Sequence, residues 1–162
     1  MKRAVALLFA AFLAACTHVE LKPPAGPLEF SLAGRIAARS GKDAFTGNIA
    51  WRHARDGDEM LITTPTGQGV AQIIRQGDAV VLKTAEPREY RAADSEELTE
   101  RVLGFRLPIE GLAETVQGQP SPLLEGRGWK VEYQEFDAEH RPTRLRLTNA
   151  GAEVRLAIHQ WN

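Results

Sequence analysis

The feature that most constrains this chain is a two-residue alternation of apolar and polar side chains, which begins at Phe30 and returns until the C-terminus. Phe30, Leu32 and Ile36 alternate with Ser31, Ala33 and Arg35, and Phe45, Ile49 and Trp51 alternate with Thr46, Asn48 and Arg52. Successive side chains of a strand point to opposite faces, so the pattern predicts antiparallel strands with one face buried. Runs from Glu59 to Thr64, Val70 to Arg75 and Ala79 to Thr84 continue the series, separated by Pro65-Thr66-Gly67 and Gln76-Gly77-Asp78. Both separators carry turn chemistry. The inward face of the third and fourth runs is ambiguous, because Met60, Leu61 and Ile62 are consecutive and so are Ile73 and Ile74. Strands resume with Trp129, Val131 and Tyr133, then Leu145 and Leu147, then Val154, Leu156 and Ile158.

Between the two strand sets the period changes. Asp94, with Glu97 three residues later, predicts a capped helix carrying Leu98, Val102 and Leu103 and ending at Gly104. Acidic residues at Asp94, Glu96 and Glu97 are explained by the helix dipole alone. After Pro108, Ile109, Leu112, Ala113 and Val116 fall on one helical face, and Gly118 follows as a stop. The expected class is mainly β with helices (α+β): one curved antiparallel sheet whose apolar face packs on a helical pair.

The N-terminus gives the second constraint. Lys2 and Arg3 precede an apolar stretch from Ala4 to Ala15, the charge order of an export signal and too short to span a bilayer. It ends Leu13-Ala14-Ala15-Cys16, which resembles the lipobox of bacterial lipoproteins. Residues 1–15 are thus expected to be removed and Cys16, the single cysteine, to carry acyl chains. Pro23, Pro24, Ala25, Gly26 and Pro27 give 16–27 the character of a semi-extended linker, reaching about 3 Å per residue. Residues 28–162 form a single domain. Removing the leader takes two of 20 basic residues and none of 21 acidic ones, leaving a formal charge of 18 minus 21, or −3, which argues against nucleic acid.

No chemistry of a catalyst is legible. Gly41-Lys42 lacks the spacing and hydroxyl of a phosphate loop, and Gly67-Gln68-Gly69 does not complete a dinucleotide fingerprint. His18, His53, His140 and His159 are scattered, without metal spacing, and are expected in exposed positions. No serine sits in a nucleophile elbow. The chain reads as a binding protein with no cofactor or metal.

Several segments, in order, resemble the LolB family of outer-membrane lipoproteins: Leu32-Ala33-Gly34-Arg35-Ile36, Phe45-Thr46-Gly47 to Trp51, and Leu61-Ile62-Thr63-Thr64-Pro65-Thr66-Gly67-Gln68. Tyr90 to Gly104, Leu107-Pro108, Gly128-Trp129-Lys130-Val131 to Tyr133 and Val154 to Trp161 extend the resemblance over nearly the whole mature chain. It implies a half-open β-barrel with helices over an apolar cavity, in a monomer on the outer membrane facing the periplasm. It also implies a role: accepting lipoproteins from the carrier LolA by their acyl chains and placing them in outer-membrane lipid. The inward residues expected to line the cavity are Phe30, Leu32, Ile36, Phe45, Ile49, Trp51, Val80, Leu82, Leu112, Val116, Trp129 and Val131. Each is equally a core residue. Thr17 is not the aspartate of an inner-membrane retention signal.

Three departures from the family pattern stand out. Thr66 replaces the leucine of the Pro-Leu-Gly turn thought to enter the membrane, so the expected insertion loop is Pro65, Thr66 and Gly67. Thr115 stands where a tryptophan is common, and Gln119 to Arg127 is shorter than in many relatives, a loss expected to cost a strand pair. Two alternatives remain open at this point: a lipoprotein holding another lipid or glycolipid, and a structural lipoprotein bracing an envelope assembly.

Overall fold

The computed structural model describes residues 21–86 and 88–162. The expected cleavage site and Cys16 lie outside them. Nine strands form one antiparallel sheet: β1 (Phe30–Ser40), β2 (Asp43–Ala54), β3 (Gly57–Thr63), β4 (Gly69–Gln76), β5 (Ala79–Thr84), β6 (Glu89–Ala92), β7 (Lys130–Phe136), β8 (Pro142–Asn149) and β9 (Ala152–Trp161). Their order is β6-β5-β4-β3-β2-β1-β9-β8-β7. Every connection is a hairpin except the passage from β6 to β7, and the closing contact is β1 with β9. The edges β6 and β7 do not pair with each other, so the barrel is half open.

The segment between those edges carries three helices, α1 (Ser95–Leu103), α2 (Ile109–Val116) and α3 (Pro122–Gly126). The expected pair is therefore a trio, and the Gln119 to Arg127 stretch holds α3. Ser121 caps it by accepting from the Leu124 amide, with Pro122 just inside the start. α1 begins as expected, with Asp94 accepting from the Glu97 amide at 2.7 Å, and ends on Gly104 in the left-handed region. Leu98 faces inward, whereas Val102 is exposed. β6 was not legible as a strand; its four residues pair with β5 through Tyr90 opposite Leu82.

Register resolves the consecutive apolar runs. Met60 lies opposite Trp51 and Ile73 opposite Met60, which puts Met60, Ile62 and Ile73 inside and Leu61 and Ile74 outside. Leu61 is exposed, yet Ile74 is buried, because Leu21 folds back over the outer face and packs on Ile74 and Val81. Pro24 is also buried. The segment before the domain is thus seated on it from Leu21, where the sequence suggested free linker up to Pro27.

A glycine is required at Gly34, where β1 shifts register against β9. A Cβ there would overlap the Ala157 carbonyl oxygen, so only hydrogen fits.

Candidate functional site: the joint between sheet and helical cover

The concave face of the sheet and the three helices meet at a joint of uniform character. α2 turns Ile109, Leu112, Ala113 and Val116 inward, and all four are buried. They meet Phe30, Leu32, Ile49, Trp51, Leu145, Leu147, Val154, Leu156 and Ile158 from the strands in one apolar cluster. A second cluster lies under α1, where Leu98 meets Val80 and Leu82. Ala71 and Ile73 are packed against both.

The helices are held to one another by polar contacts. The Ser95 hydroxyl donates to Glu110 at 2.8 Å and accepts from the Ile109 amide at 3.1 Å, so α1 caps α2, whose own N-cap, Pro108, has no side-chain group to do so. The Thr99 hydroxyl accepts from the Leu107 amide at 2.8 Å. Glu96 receives Arg127 at 2.9 Å and Arg106 at 3.4 Å. The Arg127 hydrogen bonds hold the Glu96 carboxyl below its ordinary pKa, against the opposing effect of burial. Glu96 is buried, not merely dipole-favoured as the sequence suggested.

One polar assembly lies on the sheet side. Asp58 is fully buried and accepts three hydrogen bonds, from Trp51 Nε1 at 2.7 Å, His53 Nδ1 at 2.7 Å and Arg75 Nε at 2.6 Å. An ionised carboxylate only accepts, so His53 carries its hydrogen on Nδ1. Glu110 reaches Arg75 Nε at 3.5 Å, an ion pair that joins cover to sheet. His53 is therefore buried and partnered, a correction to the exposed position expected for it; His140 and His159 are exposed. Period-two reasoning places His53 inward after Ile49 and Trp51, a signal present in the sequence but overridden by the histidine's polarity.

Ten of the twelve inward residues singled out from sequence meet in the main cluster: Phe30, Leu32, Ile49, Trp51, Leu112, Val116 and Trp129 buried, with Ile36, Phe45 and Val131 partly buried against them. Val80 and Leu82 sit under α1 instead. These side chains pack on one another, and two depressions of about 410 and 340 Å³ lie on the outer face of the sheet. Thr115 is fully buried one turn after Gly111, whose face meets Ser121 and Leu124 of α3, so it stands behind α2 and not over the sheet. The Pro65-Thr66-Gly67 turn is exposed at the β3–β4 hairpin, closed by the Gly67 amide to the Thr64 carbonyl at 2.9 Å. The Thr66 hydroxyl is not free in solvent: it lies 2.8 Å from that of Thr64.

A half-open antiparallel barrel whose apolar face lies under a helical cover defines a LolA/LolB-like protein. The fold is shared with a LolA superfamily protein from Nitrosomonas europaea, at TM-score 0.52 and 14% identity, over 82% of this chain and 84% of that one. The chain belongs to the family described as outer membrane lipoprotein LolB, whose profile matches residues 28–161. The outer-membrane lipoprotein LolB of Thiobacillus denitrificans is 35% identical over 92% of this chain and 91% of its own length. That of Chromobacterium violaceum is 30% identical over 99% of both. Its family places the chain in lipoprotein localisation and not among enzymes.

Proposed function

We propose that the protein takes lipoproteins from a LolA-type carrier by sheltering their acyl chains between sheet and cover, and releases them into the outer membrane. The observation that carries this reading is the division of labour in the joint. Cover and sheet meet chiefly by apolar contact, with hydrogen bonds between them at the two sheet edges, from Tyr133 to the Thr115 carbonyl, Asn149 to the Arg127 carbonyl and Arg101 to the Arg91 carbonyl. The cover is held together within itself by hydrogen bonds. Acyl chains entering the joint would replace side-chain contacts with like contacts and leave few polar groups unpaired, chiefly Arg75 with Glu110 and the Tyr133 hydroxyl with the Thr115 carbonyl. Exposing an acyl chain to water costs about 0.8 kcal/mol per methylene, which supplies the force for entry. No energy source is required if each acceptor along the route holds the chains more tightly than the one before. Anchoring through acyl groups on Cys16 keeps the body at the membrane it serves.

The experiment is depletion of the protein in cells whose lipoproteins are pulse-labelled. The expected result is that newly made lipoproteins accumulate in the periplasm bound to their carrier. Unchanged arrival at the outer membrane overturns the proposal.

A further inference from the structure

The outer face of the sheet, opposite the helices, carries a second constellation that the acyl joint does not use. In the pairing of β1 with β9, Arg35 lies across from Ala157. In the pairing of β8 with β9, Arg144 lies across from the same alanine on its other side. Arg155 is two residues away on Ala157's own strand, hence on the same face, and Arg146 lies across from Arg155. Neighbouring strands stand about 4.8 Å apart, so Arg35 and Arg144 flank a gap of roughly 10 Å with only a methyl group at its base. The result is a depression of about 410 Å³ that Ala37 and Ala157 floor, the four arginines wall, and no carboxylate lines.

The charge there is not balanced. Glu153 alone serves Arg39 at 3.9 Å, Arg146 at 2.7 Å and Arg155 at 2.8 Å. Glu135 pairs with Arg144 at 2.7 Å. Arg35 is exposed and has no ion-pair partner among the described residues. Arg146 directly opposite Arg155 is a like-charge cross-strand pair, an arrangement that costs stability unless an anion intervenes. Glu153 supplies one such anion at the rim, and the gap over Ala157 has room for another. Guanidinium forks match phosphate oxygens in pairs, and three arginines set around a small residue suit a tetrahedral dianion better than a planar carboxylate, with Arg144 and Arg155 turning from Glu135 and Glu153 to join the unpaired Arg35.

We propose that this depression binds a phosphate group, held by Arg35, Arg144 and Arg155 above Ala157. The site is on the face opposite the acyl joint and does not depend on it. A phosphomonoester at the head of a lipid and a free phosphate share the chemistry, and the test separates them.

The mature protein, purified in a non-ionic detergent, is titrated by calorimetry at low salt with inorganic phosphate and with dioctanoyl phosphatidic acid. Binding is expected, and it should weaken as salt is raised. Arg35→Ala and Arg144→Ala, both at exposed positions, should each weaken it about tenfold, as expected for loss of a charged hydrogen bond. Ala157→Leu keeps every charge but fills the floor, and should abolish binding; Arg88→Ala, a distant surface charge, should change nothing. Phosphatidic acid binding at least about tenfold more tightly than inorganic phosphate identifies a lipid headgroup as the ligand, and comparable affinities identify free phosphate. No binding of either probe overturns the proposal. So does binding to a folded Ala157→Leu or Arg35→Ala variant that equals the parent protein's, which would reduce the cluster to diffuse surface attraction.

Discussion

Replacing Asp58 by asparagine removes one charge from the best-buried polar assembly of the barrel and leaves its shape nearly unchanged. Asp58 has no exposed surface, and the side chain of its partner Arg75 is 6% exposed. The asparagine oxygen can still accept from Trp51 and His53, but its amide would face Arg75 Nε, now at 2.6 Å, donor against donor. Breaking a buried ion pair from one side costs about 3 to 5 kcal/mol, because the remaining charge stays desolvated. Domains of this kind have about 5 to 15 kcal/mol in total, so roughly a fifth or more of the stability is at stake. At about 3 to 5 °C per kcal/mol for a domain of this size, the midpoint of thermal unfolding should fall by roughly 10 to 20 °C. The assay is urea unfolding followed by tryptophan fluorescence, together with calorimetry. Arg52→Ala is the control: Arg52 pairs with Glu59 while 48% exposed, and its loss should cost only about 0.2 to 1 kcal/mol. The double variant Asp58→Leu, Arg75→Met removes both charges and should recover more than half of the deficit. If Asp58→Asn lies within about 1 kcal/mol of the parent, the buried charge does not hold this end of the barrel and the reasoning fails.

Three further outcomes are expected. Gly34→Ala forces a methyl against the Ala157 carbonyl and should destabilise by about 1 to 3 kcal/mol in the same urea assay; a neutral result would show that β1 and β9 can part without cost. Glu96→Gln should cost about 1 kcal/mol, discounted because Arg127 and Arg106 are half in water. Because the Glu96 pKa is lowered in the folded protein, that contribution is complete above the unfolded value near 4.5 and is lost as pH falls through the folded value. Parent and variant should therefore differ at pH 7 and converge in acid, and a difference independent of pH would contradict the assignment. Thr66→Leu gives up an exposed hydroxyl contact to Thr64 and offers about 1.5 to 3 kcal/mol on burial in lipid, so transfer of a labelled lipoprotein to liposomes should rise while Thr66→Glu lowers it. Equal transfer by parent and both variants would leave the loop as a plain hairpin turn.

Alternation and capping determined much of this protein without any structure. Phe30, Leu32, Ile49 and Trp51 had to share a face because strand geometry has a period of two, and Asp94 had to open a helix because its carboxylate serves an orphan amide three residues on. What alternation cannot supply is the neighbour. Whether Met60 or Leu61 points inward depends on which residue of β2 lies opposite, and Ile74 escapes water only because Leu21 returns across β4 and β5. α3 was hidden because five residues are too few to show a helical period. His53 and Glu96 looked like surface residues by type, and their burial was decided by partners distant in sequence or fixed by the fold, Asp58 and Arg75 for one and Arg127 for the other. The same holds on the outer face, where Arg35, Arg144 and Arg155 are ordinary outward positions of three separate strands. Only the pairing of the first strand with the last brings them around Ala157, since side chains from opposite ends of a chain become neighbours through register and through nothing written locally in the sequence.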